Sequence, residues 1–395
     1  MIVHDKNLLN NLALIEEADS LESAGFISKE QKKIIKKELP SFKVQNNILV
    51  RLGFFLLGSF LYSSICGTVS MIGLIGSTSF SERFFFSISC FIFLGIGIAG
   101  AEMLAKNKYY RHGLDDAFIL GIILNAGGAY MITTESYNDT PLGLAIVVAV
   151  TSFLVYYRYL HLMSILVFCL ASTAVLFFGL YEIGDIGKTI MPFAVMLFSG
   201  GFYFFTKKKI KNLTEIYHYN AFVLANSFCL VLFYLSCNYL VVRELSAELL
   251  SVDIKPGQDI PFAYFFYAFT CIVPVLYLVQ AIRTKDRIML WISFGAIAFT
   301  VFTIRFYYSV LPAEAALTIG GLVMFGIAYV SIQKLKNKES GLTFKPDRIH
   351  HSNTFLNAET LIVASTLGLK PEIKTNSPME FGDGGFSGGG SGGSY

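Results

Sequence analysis

Four polar residues with chemical potential stand together at the start of one apolar stretch of the sequence. Arg111 and His112 precede this stretch, and Asp115 and Asp116 open it. His112 and Asp116 are four residues apart and would share one helix face, an arrangement able to hold a metal ion or shuttle a proton. Acidic residues in a first helical turn are also favoured by the helix dipole, and this structural interpretation is the better supported. We therefore predict no metal and no cofactor.

Other polar residues fall within apolar stretches or at their ends. Asn125 and Asn226 are uncharged, and each can hydrogen-bond across helices for about 1 kcal/mol, so structural contacts are favoured over substrate contacts. Arg305 can form an ion pair with Glu314, or it can bind an anionic group such as a lipid headgroup. We take all of these, with the four residues above, as candidate contacts for substrate or lipid.

The stretches that carry these residues are long enough to cross a membrane. The chain of 395 residues is 54% hydrophobic and only 15% charged, whereas soluble domains carry about 25% charged residues. A helix needs about 20 apolar residues to cross the hydrocarbon core. We therefore predict an all-α, polytopic transmembrane bundle with ten spans, at residues 49–75, 83–105, 114–133, 141–157, 159–181, 187–205, 219–242, 262–282, 288–308 and 311–332.

The connections between the predicted spans alternate in Lys and Arg content. Short loops rich in these residues stay in the cytoplasm. The loops and the tail assigned to the cytoplasm hold fourteen of them: Lys106, Lys108, Arg111, Arg158, Lys207, Lys208, Lys209, Lys211, Arg283, Lys285, Arg287, Lys334, Lys336 and Lys338. The other side holds five: Arg83, Lys188, Arg243, Lys255 and Arg305. Both termini are therefore predicted to be cytoplasmic. A formal net charge of +3, with the basic residues beside spans, argues against nucleic-acid binding.

Residues 1–46 precede the first span and predict a cytosolic helical hairpin. Asp5 can cap a first helix, and Ser28 with Gln31 forms a capping box for a second helix that stops at Pro40. The second helix carries five lysines that suit an anionic lipid surface or, alternatively, a cytosolic protein partner bound through residues 5–39: Lys29, Lys32, Lys33, Lys36 and Lys37. Residues 47–333 form the transmembrane domain, and we expect the Gly/Ser-rich tail, 334–395, to be largely disordered.

The N-terminal segment resembles a known family. Residues 13–31 read ALIEEADSLESAGFISKEQ, and Ile34 and Ile35 follow before the first span. This stretch is similar to the start of bacterial membrane proteins of the domain of unknown function 2157 family. The resemblance implies a short cytosolic helical region followed by many spans in a bacterial cytoplasmic membrane. It implies no reaction, cofactor or catalytic residue.

Three functions remain open at this point. We favour a non-enzymatic membrane protein whose hairpin binds a partner or anionic lipid. A secondary transporter or flippase-like carrier is the alternative, and it requires a polar cavity near Asn125 or Asn226 at the midplane. A membrane-embedded enzyme comes third, because it requires His112, Asp115 and Asp116 to converge in a cleft.

Overall fold

A computed structural model describes the N-terminal region and nine long helices of the chain. The described residues are 2–23, 27–76, 82–134, 141–213, 215–250, 259–284 and 286–307, with isolated positions between 318 and 333. Most of the predicted tenth span, 311–332, and the whole tail, 334–395, lie outside them.

The described residues form helices and no strands, which confirms the all-α prediction. Their bounds are α1 Lys6–Ser23, α2 Lys29–Glu38, α3 Ile48–Gly76, α4 Glu82–Lys106, α5 Leu114–Thr133, α6 Pro141–Tyr159, α7 Leu162–Glu182, α8 Asp185–Lys211, α9 Tyr219–Ser236, α10 Tyr239–Leu250, α11 Ala263–Thr284 and α12 Arg287–Tyr307. Nine are long and apolar enough to span a membrane, namely all except α1, α2 and α10. They coincide with the first nine predicted spans.

The predicted seventh span, 219–242, is the one that differs most from the structure. It is divided at Cys237 and Asn238 into α9 and the short helix α10. The side chain of Asn238 accepts hydrogen bonds from the backbone N–H of Leu240 (3.1 Å) and Val241 (3.4 Å), which caps α10. Its amide also donates to Tyr234 Oη at 3.0 Å. Asn238 is fully buried. Hydropathy does not register this break, because one amide side chain changes the average over a window of apolar residues very little.

The predicted boundary between the fourth and fifth spans is confirmed. The chain turns at Leu160 and His161, between α6 and α7. Leu160 has a φ of 54°, in the left-handed region that β- and γ-branched residues rarely adopt. The turn is therefore a constrained feature that surrounding contacts must hold in place.

Helix α5 lies at the centre of the first half of the bundle. It packs between α3, α4 and α6, and its candidate span has the largest buried share of the nine. Gly100 of α4 lies against the Phe118 ring of α5, where a larger side chain would collide with the ring. A small residue at this position therefore permits close contact between the two helices.

The N-terminal hairpin has the predicted caps and lies against one end of the bundle. Asp5 accepts a hydrogen bond from the backbone N–H of Asn7 at 2.8 Å, and Ser28 and Gln31 form both bonds of the capping box. The hairpin is flanked by two extended segments, residues 2–5 and 40–45, which contact the connections 107–113 and 158–161. We call this end of the bundle the docked end.

Backbone and apolar contacts attach these segments to the docked end. The backbone N–H of Val3 donates to the carbonyl of Arg158 at 3.0 Å, and that of Lys43 donates to Lys108 at 2.8 Å. Apolar side chains from α1, the extended segment 40–45, the connection before α5, helix α6, the α6–α7 turn, α7 and α9 share one buried cluster. Its members are Leu9, Phe42, Tyr110, Tyr156, Leu160, Ile165 and Ala221. Lys6 also pairs with Glu215, in the connection after α8, at 3.0 Å. The N-terminal region therefore contacts three connections that were predicted to be basic: the one before α5, the one after α6 and the one after α8.

Gly113 permits the chain to turn into α5 at the docked end. Its φ is +106°, and a Cβ atom there would collide with the backbone carbonyl of Arg51 and the backbone nitrogen of Phe55. Both the backbone conformation and the close approach to α3 therefore require glycine.

We predict that Gly113→Ala lowers the free energy of unfolding by at least about 2 kcal/mol, because the added methyl group meets backbone atoms that cannot rotate away. Gly53→Ala is the matched control, since nothing lies within 4 Å of a Cβ atom there. The control should be neutral or gain up to about 1 kcal/mol of helix propensity. Titration of both purified variants with a denaturing detergent measures the difference, and equal stability of the two variants would contradict the described turn.

Candidate functional site

The carboxylate of Asp116 is the centre of a buried polar cluster at the docked end. Asp116 stands in the first turn of α5 and is only 7% exposed. Its Oδ2 accepts two hydrogen bonds from the guanidinium of Arg51 in α3, at 2.8 Å from Nε and 2.6 Å from the terminal nitrogen. A charged, two-point contact of this kind is among the stronger pairings in proteins.

His161 completes the cluster from the turn between α6 and α7. Its Nε2 lies 3.2 Å from Asp116 Oδ1, at ion-pair distance but without the alignment of a hydrogen bond. Its Nδ1 lies 2.8 Å from Ser164 Oγ, and both side chains are buried. Three elements of the bundle therefore meet at one carboxylate.

Asp115 holds the start of α5 together. Its Oδ1 accepts hydrogen bonds from the backbone N–H groups of His112 and Gly113, both at 3.0 Å. These donors have no partner within the helix, so the carboxylate satisfies them and also faces the positive end of the helix dipole. The contacts support the structural interpretation of the two acidic residues.

The expectation that His112 and Asp116 share one helix face is wrong. Helix α5 begins at Leu114, so His112 lies before the helix and does not share a helix face with Asp116. The His112 ring packs against Phe54, with ring centroids 4.3 Å apart, and against Tyr109 at 4.9 Å. His161, not His112, contacts the Asp116 carboxylate.

Arg51 and His161 are the two residues of the cluster that sequence analysis missed. The signal for Arg51 was its position in the first turn of a predicted span, because a charged residue there needs a partner. The signal for His161 was its position beside the predicted break between the fourth and fifth spans, where polar side chains can bond to backbone groups that the helices leave unpaired. Neither signal identifies Asp116 as that partner.

Arg111 lies next to this cluster and faces the hairpin. Its guanidinium is 3.4 Å from Glu16 of α1 and 5.7 Å from the centre of the Tyr110 ring. Burial raises the pKa of Glu16, and the charge of Arg111 opposes that shift. Arg111 thus connects the hairpin to the bundle through an ion pair that is largely removed from water.

The two asparagines make the predicted contacts across helices. The Asn125 amide donates to Tyr62 Oη of α3 at 2.9 Å, and Asn226 Oδ1 accepts from Thr206 of α8 at 2.9 Å. These bonds tie α5 to α3 and α9 to α8. Both amide groups therefore serve helix packing, as the structural interpretation predicts.

The predicted pair of Arg305 and Glu314 stays a prediction. Arg305 is exposed near the end of α12, and Glu314 lies outside the described residues. Other polar contacts occupy this end of the bundle. Arg243 of α10 donates to Tyr239 Oη at 2.7 Å and lies over the Tyr307 ring, and Tyr239 donates to Asp259 at 2.5 Å.

The five lysines of α2 divide into two sets. Lys32 and Lys36 face α1, where their ammonium groups lie 3.1 Å and 3.3 Å from Asp19. The other three are exposed and recur every fourth residue, which places them on one helix face: Lys29, Lys33 and Lys37. We call these three the lysine stripe.

The arrangement at the docked end is that of ion pairing and helix capping. The three residues that an embedded enzyme would bring together point to different partners, since Asp115 caps α5, Asp116 faces Arg51, and the His112 ring lies among aromatic rings. Within the described part of the chain, no three His, Cys, Asp or Glu side chains come close enough to hold a metal ion.

We predict that Asp116→Leu lowers the free energy of unfolding by about 3–5 kcal/mol, because it leaves the partly buried Arg51 guanidinium without its partner. Asp116→Asn should cost clearly less, since its amide oxygen still accepts from the guanidinium. Titration with a denaturing detergent measures both. Arg305→Gln, at an exposed position, is the control and should stay within about 0.5 kcal/mol of the parent protein.

Burial of His4 leads us to expect that docking of the N-terminal segment depends on pH. Its ring is buried against Phe42 and Tyr110, at 5.3 Å and 4.9 Å between centroids, and burial lowers its pKa to about 4. In the undocked segment the pKa returns to about 6.5, so the undocked form binds more protons between these two values. Docking should therefore be strongest above pH 6.5 and weaken as the pH falls towards 4.

Hydrogen exchange of residues 2–12, corrected for the intrinsic rate, measures this dependence. At pH 5 the loss should be on the order of 2 kcal/mol. Glu16 contributes with the opposite sign, because its raised pKa favours the docked form as it takes up a proton. The variant His4→Phe keeps an aromatic ring and removes the titration, together with the ring's hydrogen bond to the backbone of Tyr159. Its protection should therefore lack the acid-dependent loss. An equal loss in both proteins would rule out His4 as the cause.

No family model, curated protein or solved structure matches the chain. Nothing in these comparisons bears on the resemblance of residues 13–31 to the domain of unknown function 2157 family, which stays a prediction. What the protein does must therefore be inferred from the contacts of its own residues.

Proposed function

We propose that the protein is a non-enzymatic, multi-pass protein of a bacterial cytoplasmic membrane whose N-terminal hairpin binds anionic lipid headgroups. Both termini are cytoplasmic in this proposal, and the docked end faces the cytoplasm. The observation that carries it is the lysine stripe, which stands on a helix fixed to the bundle through α1. Its three side chains are exposed, and no hydrogen bond or ion pair to them is found among the described residues.

The attachment of the hairpin favours a fixed binding surface. Lys32 and Lys36 hold α2 against Asp19 of α1, while Glu16 and Lys6 hold α1 against the bundle. Less conformational entropy is lost on binding when the charged side chains already stand on a fixed helix. The lysines thus have separate tasks, with one set maintaining the hairpin and the stripe remaining free for a ligand.

Anionic lipid is the ligand that the charge and location favour. Each basic residue near a negatively charged leaflet contributes about 1 kcal/mol of attraction. The bundle holds the hairpin close to the headgroups, so this attraction acts at a high effective concentration. A cytosolic protein with an acidic surface would use the same charges, and it is the competing outcome of the test.

The carrier alternative has less support. It requires polar groups that are free to meet a substrate at the midplane. Asn125 and Asn226 instead bond to Tyr62 and Thr206 on neighbouring helices. These contacts support a packed bundle.

We predict that replacing Lys29, Lys33 and Lys37 by Gln abolishes lipid-dependent protection of α2. The full-length protein is placed in nanodiscs of phosphatidylcholine, with or without phosphatidylglycerol, and amide exchange of residues 29–38 is followed at low salt. Phosphatidylglycerol should slow exchange in the parent protein by up to about 100-fold, as expected for three lysines. High salt should remove this effect.

Two control variants separate charge from other causes. Arginine at the same three positions should retain the protection. Gln at Lys207, Lys208 and Lys209 removes three exposed charges from the same end of the bundle and should leave α2 protected. Equal exchange of α2 in both lipid mixtures, with protection only when an acidic protein is added, would replace the lipid proposal by the partner proposal.

A further inference from the structure

Arg243 stands among tyrosine rings at the end of the bundle opposite the docked end. Its guanidinium donates to Tyr239 Oη at 2.7 Å and lies 4.7 Å from the centre of the Tyr307 ring. Among the described residues this is its one hydrogen bond, and the guanidinium forms no ion pair with a carboxylate there. Arginine has five N–H donors, so the ring contacts hold the charge in place and leave most of its donors to a ligand.

Two carboxylates stand beside Arg243 without pairing with it. Tyr239 donates to Asp259 at 2.5 Å, and Tyr307 donates to Glu244 at 2.5 Å. Each carboxylate is thus bonded to a tyrosine that Arg243 also contacts. Both are exposed, so their remaining acceptor positions are accessible from outside the protein.

The arrangement is fixed by contacts between helices. The Tyr239 ring is stacked on Tyr267 of α11, with centroids 4.2 Å apart, and lies edge-on to Tyr307 of α12. The backbone N–H of Tyr239 also donates to Thr270 of α11 at 2.9 Å. We call the following six residues the tyrosine–arginine cluster: Tyr239, Arg243, Glu244, Asp259, Tyr267 and Tyr307. Because its parts are held in place, little conformational entropy is lost when it binds a ligand.

Exposed aromatic side chains place this cluster at the level of lipid headgroups. Phe262 and Tyr264, at the start of α11, are largely exposed, and so is Phe306 at the end of α12. Aromatic residues are enriched where membrane spans meet water. The candidate spans of α9, α11 and α12 also end here. A lipid headgroup is therefore the chemistry that lies beside the cluster.

The charges of the cluster favour a ligand that carries both signs. An anion alone is attracted by Arg243 and repelled by Glu244 and Asp259, and a cation alone meets the reverse. A zwitterionic headgroup offers a phosphate to the guanidinium and an ammonium group to the carboxylates.

A primary ammonium group suits these carboxylates better than a quaternary one. It has N–H groups to donate to carboxylate oxygens, whereas a quaternary ammonium has none and needs an open aromatic face. Arg243 lies over the Tyr307 ring, and Tyr239 is covered by its two tyrosine neighbours. These faces are already in use.

We infer that the tyrosine–arginine cluster binds the headgroup of phosphatidylethanolamine. The phosphate accepts hydrogen bonds from Arg243, and the ammonium group donates to Glu244 and Asp259. This inference does not rest on the lysine stripe, which belongs to the docked end and is proposed to bind a lipid of net negative charge.

Native mass spectrometry of the full-length, delipidated protein tests this inference. The protein in detergent is titrated with phosphatidylethanolamine or phosphatidylcholine that carry the same acyl chains. The parent should bind the first phosphatidylethanolamine at least about tenfold more tightly, because phosphatidylcholine cannot form the charged hydrogen bonds of the ammonium group. Neither lipid has a net charge, so the lysine stripe does not contribute to the difference.

Arg243→Gln should lower the affinity for phosphatidylethanolamine at least about tenfold, because the phosphate loses its charged donor. Two matched controls each remove one exposed charge from the same end of the bundle. Arg305→Gln removes a positive charge, and Glu182→Gln removes a negative one. Both should retain the preference for phosphatidylethanolamine.

A double variant separates charge from packing. Glu244→Gln combined with Asp259→Asn keeps oxygens that accept from Tyr307 and Tyr239 but removes both negative charges. It should bind the two zwitterionic lipids equally. It should also bind phosphatidylglycerol at least about threefold more tightly than the parent does, because the carboxylates no longer repel an anionic headgroup. Adding Arg243→Gln should abolish this gain.

Three results would overturn the inference. The first is equal affinity of the parent for phosphatidylethanolamine and phosphatidylcholine. The second is a preference that survives in Arg243→Gln. The third is a preference that survives in the double variant, which would mean that the ammonium group is recognised elsewhere.

Discussion

Pairing of the buried Asp116 carboxylate is the constraint on which the docked end depends. The residue stands in the first turn of α5, the candidate span with the largest buried share. A charge there must have partners, and they come from α3 as Arg51 and from the α6–α7 turn as His161. The need to bring three elements to one carboxylate accounts for Gly113 pressed against α3 and for Leu160 in the left-handed region.

The N-terminal hairpin builds on this arrangement. The same turn and the same connection before α5 supply the surface against which Leu9 and Phe42 are buried. Ion pairs then set its orientation, since Glu16 meets Arg111 and Lys6 meets Glu215. Burial of apolar side chains thus provides most of the attraction between the hairpin and the bundle. The charge pairs select one orientation of the hairpin. The lysine stripe remains free because other residues hold the hairpin.

Much of the fold was predictable from local patterns. Nine spans, the caps of the hairpin and the break at Leu160 and His161 follow from runs of apolar residues and from capping side chains. The break at Asn238 was not predictable from hydropathy. A hydropathy profile averages composition over a window of residues, whereas the break arises because one buried amide side chain caps a new helix. The cross-helix bonds of Asn125 and Asn226 were predicted in kind, although their partners were not.

Composition and near neighbours are enough to predict that this chain forms a bundle of apolar helices, with basic connections and a capped hairpin at one end. Which charges meet, in contrast, depends on the packing of the whole chain. Arg51, Asp116 and His161 are far apart in the chain, and the four-residue spacing of His112 and Asp116 suggested a different pair. Contact between distant charges depends on how whole helices pack, and helical spacing within one segment does not contain that information.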